Sequence, residues 1–277
     1  MSDQYAVVGN PISHSKSPLI HRMFAQQTGQ DLEYQTLEAP LDGFEQAILT
    51  FFAQQADQPA GLNITVPFKQ QAWEMAAQLS GRAQRAGAVN TLYRDESGQI
   101  CGDTTDGVGL VRDLLDNQGA TLKDARVLIL GAGGAVRGVL EPILEQSPAL
   151  LVVANRTASK AEQLAQDFAE FGELRGCGFA EVEGQFDLII NGTSASLQGE
   201  LPPLPAGVLK PGGWCYDMMY GAEPTPFMVW GEQQEAGRVI DGLGMLVEQA
   251  AESFRIWRGV RPQSAAVIDA VRAQLGS

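Results

Sequence analysis

The chain has 277 residues, with 19 Lys or Arg against 33 Asp or Glu and a net charge of -14. That balance excludes the basic footprint of a nucleic-acid surface, and a hydrophobic content of 44% excludes a disordered chain. Three scattered cysteines and two histidines offer neither a disulfide framework nor a metal-ligand spacing. The absence of an apolar leader or membrane-length run predicts a soluble cytoplasmic protein without metal.

Residues 5–8 read as a short strand closed by Gly9-Asn10-Pro11. The following stretch, NPISHSKSP (10–18), is too polar for core and too punctuated for a linker. Pro18 suits the first turn of a helix over 19–28. Ser15 and Ser17 can present hydroxyls to a polar ligand, or Ser17 can cap that helix. Residues 33–37 form a second strand, and Phe44, Ala47, Ile48, Phe51 and Phe52 mark the apolar stripe of a helix over 43–55. A third strand over 61–66 carries Asn63 and Thr65 where a plain core strand would be apolar. Lys69 falls just past its end, where open α/β sheets hold their ligands. Residues 70–79 read as a helix with Trp73, Ala76, Ala77 and Leu79 inward, and 87–93 as a strand with Asn90 at its entrance. CGDTTDGVG (101–109) gathers polar residues at a change of pattern, the composition of a cleft wall between domains.

The second half alternates strand and helix. Residues 127–130 suit a buried parallel strand, and Gly131, Gly133 and Gly134 follow at once. Glycines there permit a tight turn and let a diphosphate reach the backbone, with helix N–H groups beyond to bind it. The match to the dinucleotide fingerprint departs at Val136, where a third glycine is expected. Strand 150–154 ends in Asn155-Arg156-Thr157. An acidic residue there would favour NAD, whereas Arg156 and Lys160 suit the 2′-phosphate of NADP. The plainer reading makes them surface charges, although two cations in a first helical turn oppose the macrodipole.

A helix over 159–171, strands over 178–182, 187–191, 214–218 and 239–240, and loops over 201–211 and 218–227 continue the alternation. DLIINGTS (187–194) ends in small polar residues on the same edge as the glycine-rich loop. The helix after Asp241-Gly242 carries Gln249 beside its apolar stripe, either facing a ligand or bonding the local backbone. A last helix covers 264–275. The predicted fold is α/β with two lobes. An N-terminal mixed-sheet substrate domain (1–106) is completed by C-terminal helices (243–277), and a Rossmann-like NADP-binding domain (107–242) is inserted.

In order and spacing, NPISHSKSP, NITVPFK (63–69), GAVNTL (87–92), GDTTDG (102–107), GAGGA (131–135), NRT (155–157) and DGLGMLVEQA (241–250) resemble the shikimate dehydrogenase family over nearly the whole chain. The resemblance implies reversible, NADPH-dependent reduction of 3-dehydroshikimate to shikimate, a step of aromatic amino-acid biosynthesis. It implies Lys69 and Asp106 as the catalytic pair, Ser15, Ser17 and Tyr220 at the substrate carboxylate, and Thr65, Asn90, Asp106 and Gln249 at ring hydroxyls. On the cofactor it implies Gly131, Ala132, Gly133, Gly134 and Ala135 at the diphosphate, and Asn155, Arg156, Thr157 and Lys160 at the 2′-phosphate. Thr193 also falls on the cofactor side, and Met218, Gly242 and Met245 fall beside the nicotinamide. The chain departs from many relatives at Thr104, at Lys160 and at Gly192, the last expected to loosen its turn.

Hydride transfer leaves the protein one proton to manage. Lys69 is the candidate acid in reduction and base in oxidation, with Asp106 orienting it, while His14 reads as a structural loop residue. The expected partner is a small-molecule substrate, with no nucleic acid or membrane, and the chain is a monomer or homodimer. One alternative is a quinate/shikimate dehydrogenase of broader substrate or NAD use, against which Arg156 argues. Another is a non-catalytic nucleotide- and metabolite-binding sensor, which has no need to keep both Lys69 and Asp106.

Overall fold

Two sheets organise the chain in the computed structural model, which describes residues 2–55, 60–193, 195 and 199–276. Each belongs to its own unit: Met1–Gly109 with Val247–Gln274, and Leu110–Leu246 with Leu275–Ser277.

The first unit contains β1 (Asp3–Gly9), α1 (Ser17–Thr28), β2 (Leu32–Glu38), α2 (Phe44–Gln54), β3 (Ala60–Ile64), α3 (Lys69–Met75), β4 (Gln78–Leu79), α4 (Gly81–Ala86), β5 (Thr91–Arg94) and β6 (Ile100–Asp103). Helix α5 (Asp106–Arg112) leads out of it. The sheet order is β2-β1-β3-β5-β6-β4. β1 runs parallel to β2 and β3, while β5 runs antiparallel to β3 and β6, so the sheet is mixed. The stripe of α2 buries Phe44, Ile48, Phe51 and Phe52 against Ala6, Val8, Leu62, Ile64 and Phe68.

The second unit is a parallel sheet of β7 (Arg126–Leu130), β8 (Leu150–Asn155), β9 (Leu174–Gly178), β10 (Phe186–Asn191), β11 (Leu209–Asp217) and β12 (Arg238–Ile240). Its order is β12-β11-β10-β7-β8-β9. The connecting helices are α6 (Gly134–Leu144), α7 (Ala158–Asp167) and α8 (Pro226–Gln233). Val127 and Ile129 enter one core while Leu128 and Leu130 enter another, as a strand covered on both faces requires. α9 (Leu243–Arg258) and α10 (Ala265–Leu275) end the chain. No described helix is long and apolar enough to cross a membrane.

The structure corrects several expected elements. The helix expected over 70–79 stops at Met75, because the backbone turns extended at Ala76 and the amides of Ala77 and Ser80 bond Ile100 and Gly102. Ala77 is exposed rather than inward. The strand expected from residue 87 begins at Thr91, since Gly87 sits at φ 62° closing α4. The strand expected over 178–182 lies four residues earlier, in β9, and a 3-10 turn follows over 179–181. The helix expected to reach 171 ends at Asp167. β11 starts at Leu209, five residues before expectation, and its register shifts between the pairs Phe186–Leu209 and Leu188–Trp214. The loop expected over 218–227 hides the start of α8, where the Thr225 hydroxyl accepts the Met228 amide at 3.2 Å and Pro226 follows.

Candidate functional site

In the first unit, Lys69 opens α3 just beyond β3, and Asp106 opens α5 just beyond β6. Their side chains meet, with Lys69 Nζ 2.5 Å from Asp106 Oδ2. The other carboxylate oxygen, Oδ1, accepts from Asn90 Nδ2 at 2.9 Å. Asn90 is 2% exposed and sits between α4 and β5. Its Nδ2 also approaches Thr105 Oγ1 at 2.9 Å and Gln249 Oε1 at 3.2 Å. The backbone N–H of Thr105 donates to Asn90 Oδ1 at 2.9 Å, which sets the amide orientation and turns the NH2 toward Asp106. Four of the expected residues, Lys69, Asp106, Asn90 and Gln249, therefore converge. Gln249 bonds side chains of other elements, so the local-backbone reading does not account for it.

Thr65 lies in the turn after β3, its carbonyl accepting from the Phe68 amide at 3.0 Å. Ser17 is the first residue of α1 and is buried, and its amide donates to Ser15 Oγ at 3.3 Å. Lys16, not Ser17, stands at the N-cap, so the capping role drops out. Ser17 faces Tyr34, whose phenol burial pushes well up while the Ser17 hydroxyl offsets part of the effect. His14 lies exposed in a turn, as a loop residue should. Beneath this group runs a polar layer of Asn63, Thr91, Thr105 and Ser253. Of these, Asn63 stood out in the sequence. Ser253 did not, although it lies four residues after Gln249 and so shares its helix face.

In the second unit, Gly131 follows β7 at φ +105°, and a Cβ there would come within 3.2 Å of the Gly192 carbonyl oxygen. Gly133 is the N-cap of α6, and a Cβ on Gly133 or Gly134 would point into open space. Gly131, Ala132, Gly133, Gly134 and Ala135 line a cavity of about 520 Å³ with Asn155, Arg156, Phe179, Gly192, Thr193 and residues 200–203. Backbone N–H groups at a helix N-terminus beside side-chain-free space fit a diphosphate. The exposed Arg156 guanidinium at the same cavity fits a further phosphate.

Thr157 and Lys160 do not line this cavity. Thr157 is the N-cap of α7, and its carbonyl accepts from Asn155 Nδ2 at 2.9 Å. The Thr193 hydroxyl donates to Asn191 Oδ1 at 2.7 Å, while Ser194 lies outside the described residues. Met218 and Met245 are buried, and a Cβ on Gly242 would fall 2.2 Å from the Met218 carbonyl oxygen, so only glycine permits that approach. Tyr220 is a half-buried member of this second unit, its phenol pushed up by burial and then by Asp241. No cluster of metal-ligating side chains occurs among the described residues.

Residues 7–92 match the shikimate dehydrogenase substrate binding domain, 113–198 the shikimate / quinate 5-dehydrogenase family, and 242–272 the shikimate 5′-dehydrogenase C-terminal domain. A shikimate dehydrogenase (NADP(+)) of Alkalilimnicola ehrlichii is 59% identical over 274 residues, covering 99% of this chain and 100% of that protein. The chain belongs to the shikimate dehydrogenase family. Its fold is the family's, a mixed-sheet α/β unit and a Rossmann-like unit. An Ael1 enzyme from Pseudomonas putida superposes with a TM-score of 0.91 at 48% identity, over 100% of this chain and 99% of that one. The shikimate 5-dehydrogenase of Thermus thermophilus, solved in complex with NADP(H) and shikimate, gives 0.86 at 31% identity, over 99% and 100%.

Proposed function

We propose that this shikimate dehydrogenase family member interconverts 3-dehydroshikimate and shikimate with NADP(H), using Lys69 and Asp106 as its proton-handling pair. The observation that carries this reading is the 2.5 Å Lys69–Asp106 contact with Asn90 bracing the second carboxylate oxygen. NADPH bound at the glycine-rich loop supplies the hydride. Reduction adds one proton to the carbonyl oxygen, and Lys69 Nζ donates it; oxidation returns it to Lys69. Asp106 accepts from Nζ and keeps it aimed. Asn90 and Gln249 offer amide groups to ring hydroxyls beside it, Thr65 a further hydroxyl, and Ser15 and Ser17 hydroxyls to the carboxylate. Hydroxyls compensate little charge, so the Lys69 ammonium offsets the field of a chain with net charge -14.

On the cofactor we assign Gly131–Ala135 to the diphosphate, Asn155 and Arg156 to the 2′-phosphate with Thr157 and Lys160 behind them, and Thr193, Met218, Gly242 and Met245 to the nicotinamide end. The functional division we favour is 1–106 with 243–277 for substrate and 107–242 for NADP. It is supported by Lys69, Asp106, Asn90 and Gln249 all falling in the first unit and the glycine-rich loop in the second. A monomer or homodimer acting on a small molecule suits this reading.

The test is an initial-rate assay of shikimate and quinate, each with NADP and NAD, on the protein and on Lys69→Ala. Turnover of shikimate with NADP is expected to dominate. Lys69→Ala is expected to lower kcat about 10²- to 10⁴-fold, with a much smaller rise in KM for shikimate from the lost ammonium charge. Variant turnover within twofold of the parent overturns the acid–base role, and comparable rates with quinate or NAD move the chain to the broader relative.

A further inference from the structure

Ser253 is 0% exposed on α9, and its hydroxyl is surrounded by polar atoms of the first unit. Asn63 Nδ2 lies 2.9 Å away, Thr91 Oγ1 2.8 Å, Thr105 Oγ1 3.2 Å and the Gln249 carbonyl oxygen 3.1 Å. The direction of these bonds follows from groups whose roles are invariant. The Thr105 N–H can only donate, so Asn90 must turn its oxygen toward it. Asn90 Oδ1 can only accept, so Thr91 Oγ1 at 2.8 Å must donate to it. The Thr91 proton is then committed. Two oxygens 2.8 Å apart with no proton between them repel, so Ser253 turns its one proton toward Thr91, and the Gln249 carbonyl oxygen at 3.1 Å is the second, more distant acceptor of that same proton. Ser253 in turn accepts from Asn63, whose Nδ2 is oriented by the Asn90 carbonyl oxygen at 3.2 Å. Asn63 Oδ1 accepts from the Tyr34 hydroxyl at 2.7 Å. The result is a chain in which every donor points the same way, from Tyr34 through Asn63, Ser253, Thr91 and Asn90 to Asp106.

We propose that Ser253 is a positioning residue for the reaction, relaying this one-directional chain so that the Asn90 amide stays locked as a donor to Asp106. The role rests on the reading of Lys69 and Asp106 given above. Bonds aligned in one direction polarise one another, and in a water-excluded layer a break is felt at the charged end. Without the Ser253 hydroxyl, Thr91 loses its donor and is free to rotate away from Asn90.

The experiment measures kcat, KM for shikimate and KM for NADP, together with thermal midpoints, for full-length Ser253→Ala, Ser253→Thr, Thr91→Val and the Ser253→Ala/Thr91→Val double variant. Ser253→Ala is expected to lower kcat about three- to tenfold, the span of one hydrogen bond, with KM for NADP unchanged. Ser253→Thr, which keeps the hydroxyl, is expected to recover most of that loss. The double variant is expected to be no worse than the poorer single one, since both break one chain. A Ser253→Ala kcat within twofold of the parent, or fold-losses that multiply in the double variant, overturns the proposal. Should Ser253→Ala melt below assay temperature, Ser253→Cys takes its place. Its weak S–H donor is expected to give a partial kcat loss, and an unchanged kcat overturns the proposal equally. Lys69→Ala run beside them separates the two readings. If it keeps turnover, the catalytic assignment fails; if it loses turnover while Ser253→Ala does not, only the Ser253 role fails.

Discussion

Gly192 and Val136 fill one space between them: a Cβ on Gly192 would fall 2.5 Å from Val136 Cγ2. The sequence departs from expectation at both positions, with valine where the fingerprint has a third glycine and glycine where alanine is more usual. The expected effect of Gly192 was a looser turn. The structure adds a separate reason for a small residue there: under the glycine-rich loop, Val136 of α6 takes the room that a side chain after β10 would need. Gly192→Ala is therefore expected to destabilise the protein by about 1–3 kcal/mol through overpacking. Val136→Ala added to it should recover at least half of that loss. Urea melts of the two singles and the double decide the matter, and strictly additive losses would show that the two residues do not share the space.

Arg156 lines the glycine-rich cavity with an exposed guanidinium, so its contribution should be confined to the extra phosphate. Arg156→Gln is expected to raise KM for NADP about 10- to 100-fold, the cost of hydrogen bonds to a charged group, while KM for NAD moves less than twofold. The discrimination should shrink as salt rises, because the site is open to counterions. Equal loss with both cofactors would mean that Arg156 supports the loop rather than reading the phosphate.

What could be read from the sequence was whatever the local pattern alone decides. The apolar run of β7 announced a buried parallel strand and Lys69 announced itself as a charge past a strand end, whereas Asp106 was singled out only through the resemblance carried by GDTTDG. Gln78 and Leu79 carried no such signal, because their strand exists only through pairing with Cys101 and Gly102. β9 was displaced: the strand was expected to begin at Gly178, where β9 ends. Gly176 is small because a Cβ there would fall 2.2 Å from the Ala161 backbone. Within the candidate site, Ser253 is silent in the sequence. A small residue in an apolar stripe carries no signal, and its partners Asn63, Thr91 and Thr105 lie 190, 162 and 148 positions away.

Glu252 gathers three guanidinium groups while only 3% exposed. Arg255 Nη2 lies 2.7 Å away, Arg261 Nη1 3.0 Å and Arg82 Nη2 3.5 Å. Burial pushes the carboxyl up, but the Arg255 hydrogen bond and charge, then the Arg82 and Arg261 charges, outweigh it and hold it below the ordinary range. A depressed carboxylate stabilises fully above its unfolded value, about 4.3, and loses that stabilisation as pH falls through the folded one. Glu252→Gln takes the carboxylate partner from Arg255, while Arg82 keeps Asp103 and Arg261 keeps Glu248, and is expected to cost about 1.5–3 kcal/mol at pH 7, the span of a hydrogen bond to a charged group. Its thermal midpoint should converge on that of the parent as pH drops below 4. A midpoint unchanged at pH 7 would show that the cluster is energetically idle.

His21 sets a second acid limb, at higher pH. The ring is fully buried, stacked on Tyr34 with centroids 4.1 Å apart, and neither nitrogen has a hydrogen-bond partner. Burial lowers its pKa to about 3, a fall that the nearby Asn63 amide partly offsets without reaching either nitrogen at hydrogen-bonding geometry. The unfolded chain therefore takes up a proton below about pH 6.5 that the folded chain refuses until about pH 3. Protons bound by the unfolded state alone favour unfolding as pH falls, by about 1.4 kcal/mol per unit. Between pH 7 and pH 5 this single group is expected to remove about 2 kcal/mol of stability, well before the Glu252 cluster titrates. His21→Phe keeps an aromatic ring against Tyr34 and carries no proton, so its stability should be nearly level over that interval. Urea midpoints of parent and variant at pH 7 and pH 5 provide the check. Parallel losses in the two proteins would place the acid sensitivity elsewhere, because the exposed His14 gains no comparable burial on folding.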